Sequence, residues 1–287
     1  MKIVDSHVHL WDPRRFSYPW LAGLPRLNRP QLPERLAAEA PALAAAVVVQ
    51  ADCDTLQALD EAAWIDTLAA STTALPIAGI VAYAPLEQGA AIGGYLRRLG
   101  EIRRVVGVRR SVQNEGADIL RRPGYRAGML AAARAGLCVD MCVRPAQLAG
   151  LRTLLSEVQA GEPGMRVVID HLGKPEIAAD RLDPWRDDIA RLAALTGVYC
   201  KLSGLLTEAA WDCWREDQIR PFIEHALATF GPARCMFGGD WPVVELAGGY
   251  QPWFHCLSNA LATLTDDERR AVWHDSAAAF YRLDIPF

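Results

Sequence analysis

Three histidines and one aspartate carry the chemistry that can be read in this chain. His7 and His9 stand one residue apart in Ile-Val-Asp-Ser-His-Val-His-Leu. His171 closes Arg-Val-Val-Ile-Asp-His-Leu, and Asp240 closes Cys-Met-Phe-Gly-Gly-Asp-Trp-Pro. Imidazoles beside a carboxylate can hold one divalent cation, or they can stabilise an oxyanion while the carboxylate moves a proton. The opening stretch reads as a strand, and side chains alternate across a strand with period two. Ile3, Asp5, His7 and His9 are therefore predicted to share one face, with both imidazoles pointing the same way. His171 and Asp240 can join them only if the fold brings distant strand ends together.

The elements that must do this follow a regular rhythm. After the first strand comes a long segment, Trp11 to Pro41, rich in proline and carrying Phe16, Tyr18 and Trp20. It is predicted to be an ordered loop with a short helix near Pro33–Ala40. Predicted strands then cover Ala45–Gln50, Ile77–Ala84, Val105–Arg110, Leu137–Val143, Arg166–Leu172, Gly197–Gly204 and Cys235–Trp241. Predicted helices between and after them cover Leu56–Ser71, Gly93–Glu101, Gly124–Ala135, Ala146–Ala160, Pro184–Leu195, Pro221–Phe230 and Asp266–Ala279. Gly136 reads as a helix stop, and Asp183 and Thr265 read as N-caps. With the first, these make eight strands. They are continuous apolar runs, so both faces are buried. Buried strands alternating with helices read as one α/β domain, a (β/α)8 TIM barrel with a long loop after strand one. An open doubly wound sheet would want a Gly-x-Gly-x-x-Gly after a strand, and none occurs. In a barrel all strand C-termini meet on one face, where active sites sit, and strands one and eight are neighbours.

Bulk properties exclude several classes. The 287 residues are 51% hydrophobic and 22% charged, with net charge −4. No Lys/Arg run recommends nucleic acid or a membrane surface as partner. The opening residues show no basic stretch followed by an apolar one, so no secretory signal is expected, and no apolar run approaches the ~18–20 residues of a membrane span. The seven cysteines are odd in number and form no Cys-x-x-Cys. They are expected to be reduced core residues of a cytoplasmic protein.

Val-Asp-Ser-His-Val-His-Leu-Trp-Asp (4–12), Tyr-Pro-Trp (18–20), Val-Ile-Asp-His-Leu-Gly-Lys-Pro (168–175), Cys-Lys-Leu-Ser-Gly-Leu (200–205) and Met-Phe-Gly-Gly-Asp-Trp-Pro-Val (236–243) resemble the amidohydrolase superfamily. Within it they resemble the amidohydrolase-2 group and its sugar-lactonase branch, which includes L-fuconolactonase and L-rhamnonolactonase-like enzymes. The resemblance implies hydrolysis of a small-molecule aldonolactone to the free acid. One departure is visible. Many superfamily members bridge two metals with a carboxylated strand-four Lys, whereas strand four here ends Val-Gly-Val-Arg-Arg. The expectation is one divalent metal, zinc being favoured, or none. With a metal, His7, His9 and His171 supply nitrogen ligands beside Asp240. In either case Asp240 is the predicted base, assisted by His171.

Polar residues at strand ends are the candidates for holding substrate: Gln50, Tyr83, Arg109 or Arg110, Asp140 and Lys201, with Trp20 (or Tyr18) from the loop and Trp241 shaping the wall. Alternation sends one of Arg109 and Arg110 inward without saying which, and the resemblance favours Arg109. A buried Lys201 needs a partner, which substrate, Asp140 or Glu208 could supply. Asp5 is expected to orient a ligand histidine, and Asp170, pointing opposite to His171, to be structural. His225, His255 and His274 are expected at the surface or in packing. Two other enzyme classes use similar openings: a metal-dependent decarboxylase of an aromatic acid, and a TatD-like nuclease. The nuclease would want a strand-four Glu and a basic rim, neither of which is present. A non-catalytic binding barrel would have no need of Asp240 beside three imidazoles.

Overall fold

Short β-branched runs form eight strands: Val4–Val8 (β1), Ala45–Val49 (β2), Ile77–Tyr83 (β3), Val105–Arg109 (β4), Cys138–Met141 (β5), Val167–Ile169 (β6), Val198–Leu202 (β7) and Cys235–Phe237 (β8). They pair in parallel, in sequence order from β1 to β8. The computed structural model from which these are read describes residues 2–40 and 43–285; Pro41, the end of the proline-rich loop, lies outside them. The sheet curls until its edges meet. Val8 bridges Trp241 in parallel, Asp240 N–H donates to His7 O at 2.8 Å, and His9 N–H donates to Trp241 O at 2.7 Å. The hydrogen bonds that close the barrel are thus made by the residues that carry the chemistry.

The helices are Pro33–Glu39 (α1), Ala58–Ser71 (α2), Gly93–Gly100 (α3), Pro123–Arg134 (α4), Pro145–Gly161 (α5), Trp185–Ala193 (α6), Leu205–Glu208 (α7), Glu216–Phe230 (α8), Tyr250–Ala260 (α9), Asp266–Arg270 (α10) and Ser276–Tyr281 (α11). They differ from the sequence expectation in three places. The last predicted helix is split, because Ala271–Asp275 widens into a π-helical turn between α10 and α11. Helices α7, after β7, and α9, after β8, are unpredicted. Thr265 caps α10 as expected and Gly136 takes φ +80° after α4. Asp183 does not cap α6; its side chain accepts from Arg186 instead.

Two apolar layers hold the barrel. Alternate strand residues such as Val48, Ile80, Val108, Ile169 and Leu202 face the helices. The others, among them Val4, Val47, Val49, Val81, Val168 and Met236, fill the interior together with Ala277, Phe280 and Tyr281 of α11. Helix α11 therefore plugs the end where the strands begin. The loop after β1 is ordered, as its aromatics predicted. Trp11 pairs with Gln31, and Trp11, Tyr18, Leu21 and Leu27 pack on Ala51, Cys53 and Ala58. Among the described residues, no helix is long and apolar enough to cross a membrane. Six cysteines are buried, Cys213 is exposed, and all seven are free.

β1 corrects one expectation. A shift in register between Asp5 and Val8 interrupts the alternation, so Val4 faces the interior and Asp5 does not follow His7. Asp5 accepts from the N–H of His7 at 3.0 Å, the N–H of Gly239 at 2.8 Å and the Tyr250 hydroxyl at 2.8 Å. It touches no imidazole; it ties β1 to β8 and α9. Burial pushes its carboxyl up to about 6, against the pull of those three donors. Gly239 allows this approach, since a Cβ there would lie 2.2 Å from Tyr250 Cε2 and 2.5 Å from Asp5 Oδ2. Gly239→Ala is expected to lower stability by ~1–3 kcal/mol, the usual cost of overpacking. A denaturant midpoint equal to wild type would contradict it.

Candidate active site

Backbone turns at the strand ends set the site. β6 stops at Ile169, and His171 and Leu172 both take φ +53°, with Lys174 at +54°. Asp240 follows β8 with φ +53°. Side chains rarely adopt the left-handed region, and such residues cluster at functional sites. These turns direct His171 and Asp240 inward toward His7 and His9. The Gly204 backbone, itself at φ +63°, approaches closely: a Cβ there would lie 2.5 Å from His171 Nδ1 and 3.1 Å from Asp240 Oδ2.

Asp240 Oδ1 lies 3.8 Å from His7 Nε2, 3.6 Å from His9 Nε2 and 4.0 Å from His171 Nε2. The two strand-one imidazoles approach at Nε2–Nε2 3.2 Å. His9 Nδ1 lies 2.8 Å from Val49 O. A carbonyl only accepts, so His9 Nδ1 carries a proton and Nε2 faces the cluster. His171 Nδ1 bonds Ser203 Oγ at 2.9 Å. Burial lowers His171 to about 4, opposed by Asp240, so its imidazole is neutral near pH 7. Burial alone would raise the Asp240 carboxyl, but the imidazoles of His171, His9 and His7 outweigh it and hold it well below the usual carboxylate range.

Beneath the histidines lies a buried ion network. Lys201 Nζ stands 2.5 Å from Asp140 Oδ2, 3.0 Å from Asp170 Oδ1 and 3.0 Å from His7 Nδ1. Arg109 points Nη1 at Asp170 Oδ2 (3.2 Å) and donates Nη2–H to Gln50 O (2.7 Å). Burial opposes the charge of Asp170, yet Lys201, His7 and Arg109 keep its carboxyl well below the ordinary value. Asp170 therefore faces inward like His171, contrary to the alternation expected of a strand, because the chain has already left β6. Arg109 is the inward arginine; Arg110 pairs with Glu87 and Glu115.

A cavity of about 590 Å³ opens over this cluster, lined by His9, His171, Asp240, Arg109, Lys174 and Trp20, among others. That size suits a small polar molecule. Trp20 is held by its indole N–H on Ala51 O at 2.8 Å. Five residues expected at substrate are elsewhere. Gln50 folds onto Asp52, accepting its N–H at 2.6 Å and donating to its carboxylate at 3.0 Å. Lys201 is wholly buried under His7. Trp241 turns outward past the left-handed Asp240, and its indole N–H reaches Glu39 Oε2 at 3.1 Å. Tyr18 is spent on Glu61, and Asp140 serves Lys201. Two contributors were missed. Ser203 follows Lys201 by two residues, so alternation would have found it. Lys174, which lines the cavity and pairs with Glu208 at 2.6 Å, is placed only by the left-handed turn.

Ligating atoms of His7, His171 and Asp240 all lie within 4.8 Å of one another. With His9 Nε2 they form a nitrogen-rich donor set with one carboxylate, which fits a zinc-like ion. A second group, Cys142, Asp170 and His171, shares Asp170 with Arg109 and Lys201, and that carboxylate is already neutralised by them.

The family model of the amidohydrolases matches residues 4–283. The chain belongs to the amidohydrolase family. An L-fucono-1,5-lactonase of Burkholderia multivorans is 34% identical to it over 99% of this chain and 97% of its own. A crystal structure of an amidohydrolase from Burkholderia multivorans with bound zinc superposes with TM-score 0.86 at 32% identity, over 99% of this chain and 100% of that one. A 5-carboxyvanillate decarboxylase of Sphingomonas paucimobilis, at 11% identity and TM-score 0.69 over 98% and 99%, shares the fold alone.

Proposed function

We propose that this amidohydrolase hydrolyses a sugar aldonolactone, of the L-fucono- or L-rhamnono-lactone kind, to the free acid. The observation that carries the reading is the ionised Asp240 among three imidazole Nε2 atoms at the floor of a cavity that Arg109 also lines. The full-length likeness to an L-fucono-1,5-lactonase supports the substrate class.

Asp240 takes a proton from water as the water oxygen bonds to the lactone carbonyl carbon. The tetrahedral oxyanion forms beside the Arg109 guanidinium, which lines the cavity. A preorganised donor aimed at developing charge stabilises the transition state electrostatically. The ring C–O bond then breaks, and the proton held by Asp240 passes to the leaving ring oxygen. His171, oriented by Ser203, faces the same water. His7, His9, His171 and Asp240 would hold a divalent ion, which would make bound water more acidic and polarise the carbonyl. Lys174 and Trp20 are suited to orienting the sugar hydroxyls.

A pH-indicator screen tests this, run on enzyme as purified and after chelation, with metal content measured on both. L-fucono-, L-rhamnono-, L-galactono- and D-arabinono-lactones stand beside a phenyl ester and a benzoic acid. Hydrolysis of at least one aldonolactone is expected. Loss on chelation with return on added zinc would make the imidazoles ligands. Silence on every lactone, with carbon dioxide released from the aromatic acid, would replace the lactonase with a decarboxylase.

A further inference from the structure

Gln50 follows β2 directly, and both ends of the residue are committed. Its carbonyl accepts from Arg109 Nη2 at 2.7 Å. Its side chain closes on its own chain: Oε1 accepts the Asp52 N–H at 2.6 Å, and Nε2–H donates to Asp52 Oδ1 at 3.0 Å. Under this clamp Asp52 takes φ +52°, in the left-handed region that few side chains adopt and that is common at functional sites. Asp52 lines the cavity with Trp20, Arg109 and Lys174. The Trp20 indole is itself fastened to Ala51 O, between the two clamped residues.

The charges around this cavity are unevenly spent. Arg109 is paired with Asp170, and Lys174 with Glu208. Glu115 is paired with Arg110, and Asp54 gives Oδ1 to the Leu56 N–H. Asp52 forms no ion pair among the described residues. Its side chain accepts only from the Gln50 amide, and Oδ2 accepts from no described group. Burial disfavours the Arg109 charge, and Asp52 comes second to Asp170 among the carboxylates that outweigh it. The Asp52 carboxylate is therefore within electrostatic reach of the guanidinium at the reacting end. A carboxylate without a counter-ion accepts strongly from hydroxyl groups and repels another carboxylate. An uncharged ring rich in hydroxyls satisfies it. A lactone bearing an acid group does not, and it finds both cations of the wall already paired.

We propose that Asp52 is a specificity-determining residue: its carboxylate accepts hydroxyl hydrogens of an uncharged polyol lactone and turns away lactones that carry an acid group. Gln50 is its positioning residue. This assignment rests on the lactonase reading above and narrows it to neutral, hydroxylated rings.

Three variants test it. Asp52→Gly removes the carboxylate at a φ that glycine takes freely. Asp52→Asn keeps the shape without the charge. Gln50→Met removes both clamp bonds and leaves the carbonyl to Arg109. Kinetics are read on the best aldonolactone of the screen, on δ-valerolactone, which has a ring and no hydroxyls, and on a δ-lactone bearing a carboxylate. In Asp52→Gly, kcat/KM for the aldonolactone is expected to fall roughly 10- to 150-fold, mostly through KM, the effect of losing a hydrogen bond to a charged group. For valerolactone it should stay within about twofold, since a contact the substrate never makes cannot be lost. Asp52→Asn should gain at least about threefold on the carboxylated lactone, because a like charge is gone. Gln50→Met should lose less than Asp52→Gly, and again only on the hydroxylated ring. A loss of equal size on all three lactones would make Asp52 merely structural, and wild-type values throughout would equally overturn the assignment.

Calorimetry with the L-fucono- and L-rhamnono-lactams, the same hydroxylated rings with an amide in place of the ester, scores recognition apart from turnover. If wild type hydrolyses no lactone yet binds a lactam that Asp52→Gly binds at least about tenfold more weakly, the lactonase reading fails and Asp52 stands. If neither lactam binds wild type, or both proteins bind alike, the assignment of Asp52 fails whatever the enzyme hydrolyses.

Discussion

Asp240→Asn is expected to cut lactone turnover by roughly 10²–10⁴-fold, the range that a positioned general base contributes, while leaving KM near its wild-type value. The substitution keeps size and shape, so the barrel closure made by the Asp240 and Trp241 backbones is untouched. It removes the one group in the cavity floor that is ionised and faces three imidazole nitrogens. An amide in that place cannot take a proton from water. The neighbouring imidazoles cannot replace it cleanly, since His9 Nε2 is turned toward His7 and His171 is lowered to about 4 by burial. The pH profile offers a second reading. The carboxyl is held well below its ordinary value, so wild-type kcat/KM should not fall on the acid side until well below pH 5. Steady-state kinetics across pH check both, and an Asp240→Asn enzyme with near wild-type kcat would remove Asp240 from the chemistry.

How far the sequence carried this site depends on whether each residue obeys strand periodicity. β2 does: Ala45, Val47 and Val49 point in while Ala46 and Val48 point out, which is why the eight-strand barrel was legible from apolar runs alone. Lys201 and Ser203 obey it too, and the buried partner that Lys201 demands is indeed Asp140. The failures are local departures from the period. The shift between Asp5 and Val8 sends Asp5 to α9. The left-handed His171 and Leu172 let Asp170 and His171 both face inward, and the left-handed Asp240 throws Trp241 outward. No feature of a single sequence announces a non-glycine residue at positive φ, so Trp241 was expected at substrate while Lys174 was overlooked; Lys201 obeys the period and misses substrate only because His7 covers it. The departures cluster at the strand ends where the chemistry is, as strained backbone commonly does.

Arg109 is the second residue whose removal should be felt most. Its guanidinium does two things at once. Nη1 and Nη2 are held by Asp170 and by Gln50 O, with Nη1 also 3.5 Å from His7 Nε2, and the guanidinium lines the cavity. Arg109→Met would strip a counter-ion from a wholly buried carboxylate, and breaking such a pair costs about 3–5 kcal/mol. A loss of activity in that variant would not separate charge stabilisation from misfolding. Arg109→Lys separates them. Lysine keeps a cation near Asp170 and so should retain most of the stability, but it has no planar fork and cannot serve the carboxylate, Gln50 O and a bound oxyanion together. The expectation for Arg109→Lys is a thermal midpoint close to wild type with kcat lower by about 10²–10³-fold, the effect of losing one oxyanion donor, and a KM changed far less. Were kcat to stay at wild type in this folded variant, Arg109 would be a pillar of the ion network and nothing more, and the oxyanion would have to be held by the imidazoles or by a metal they bind.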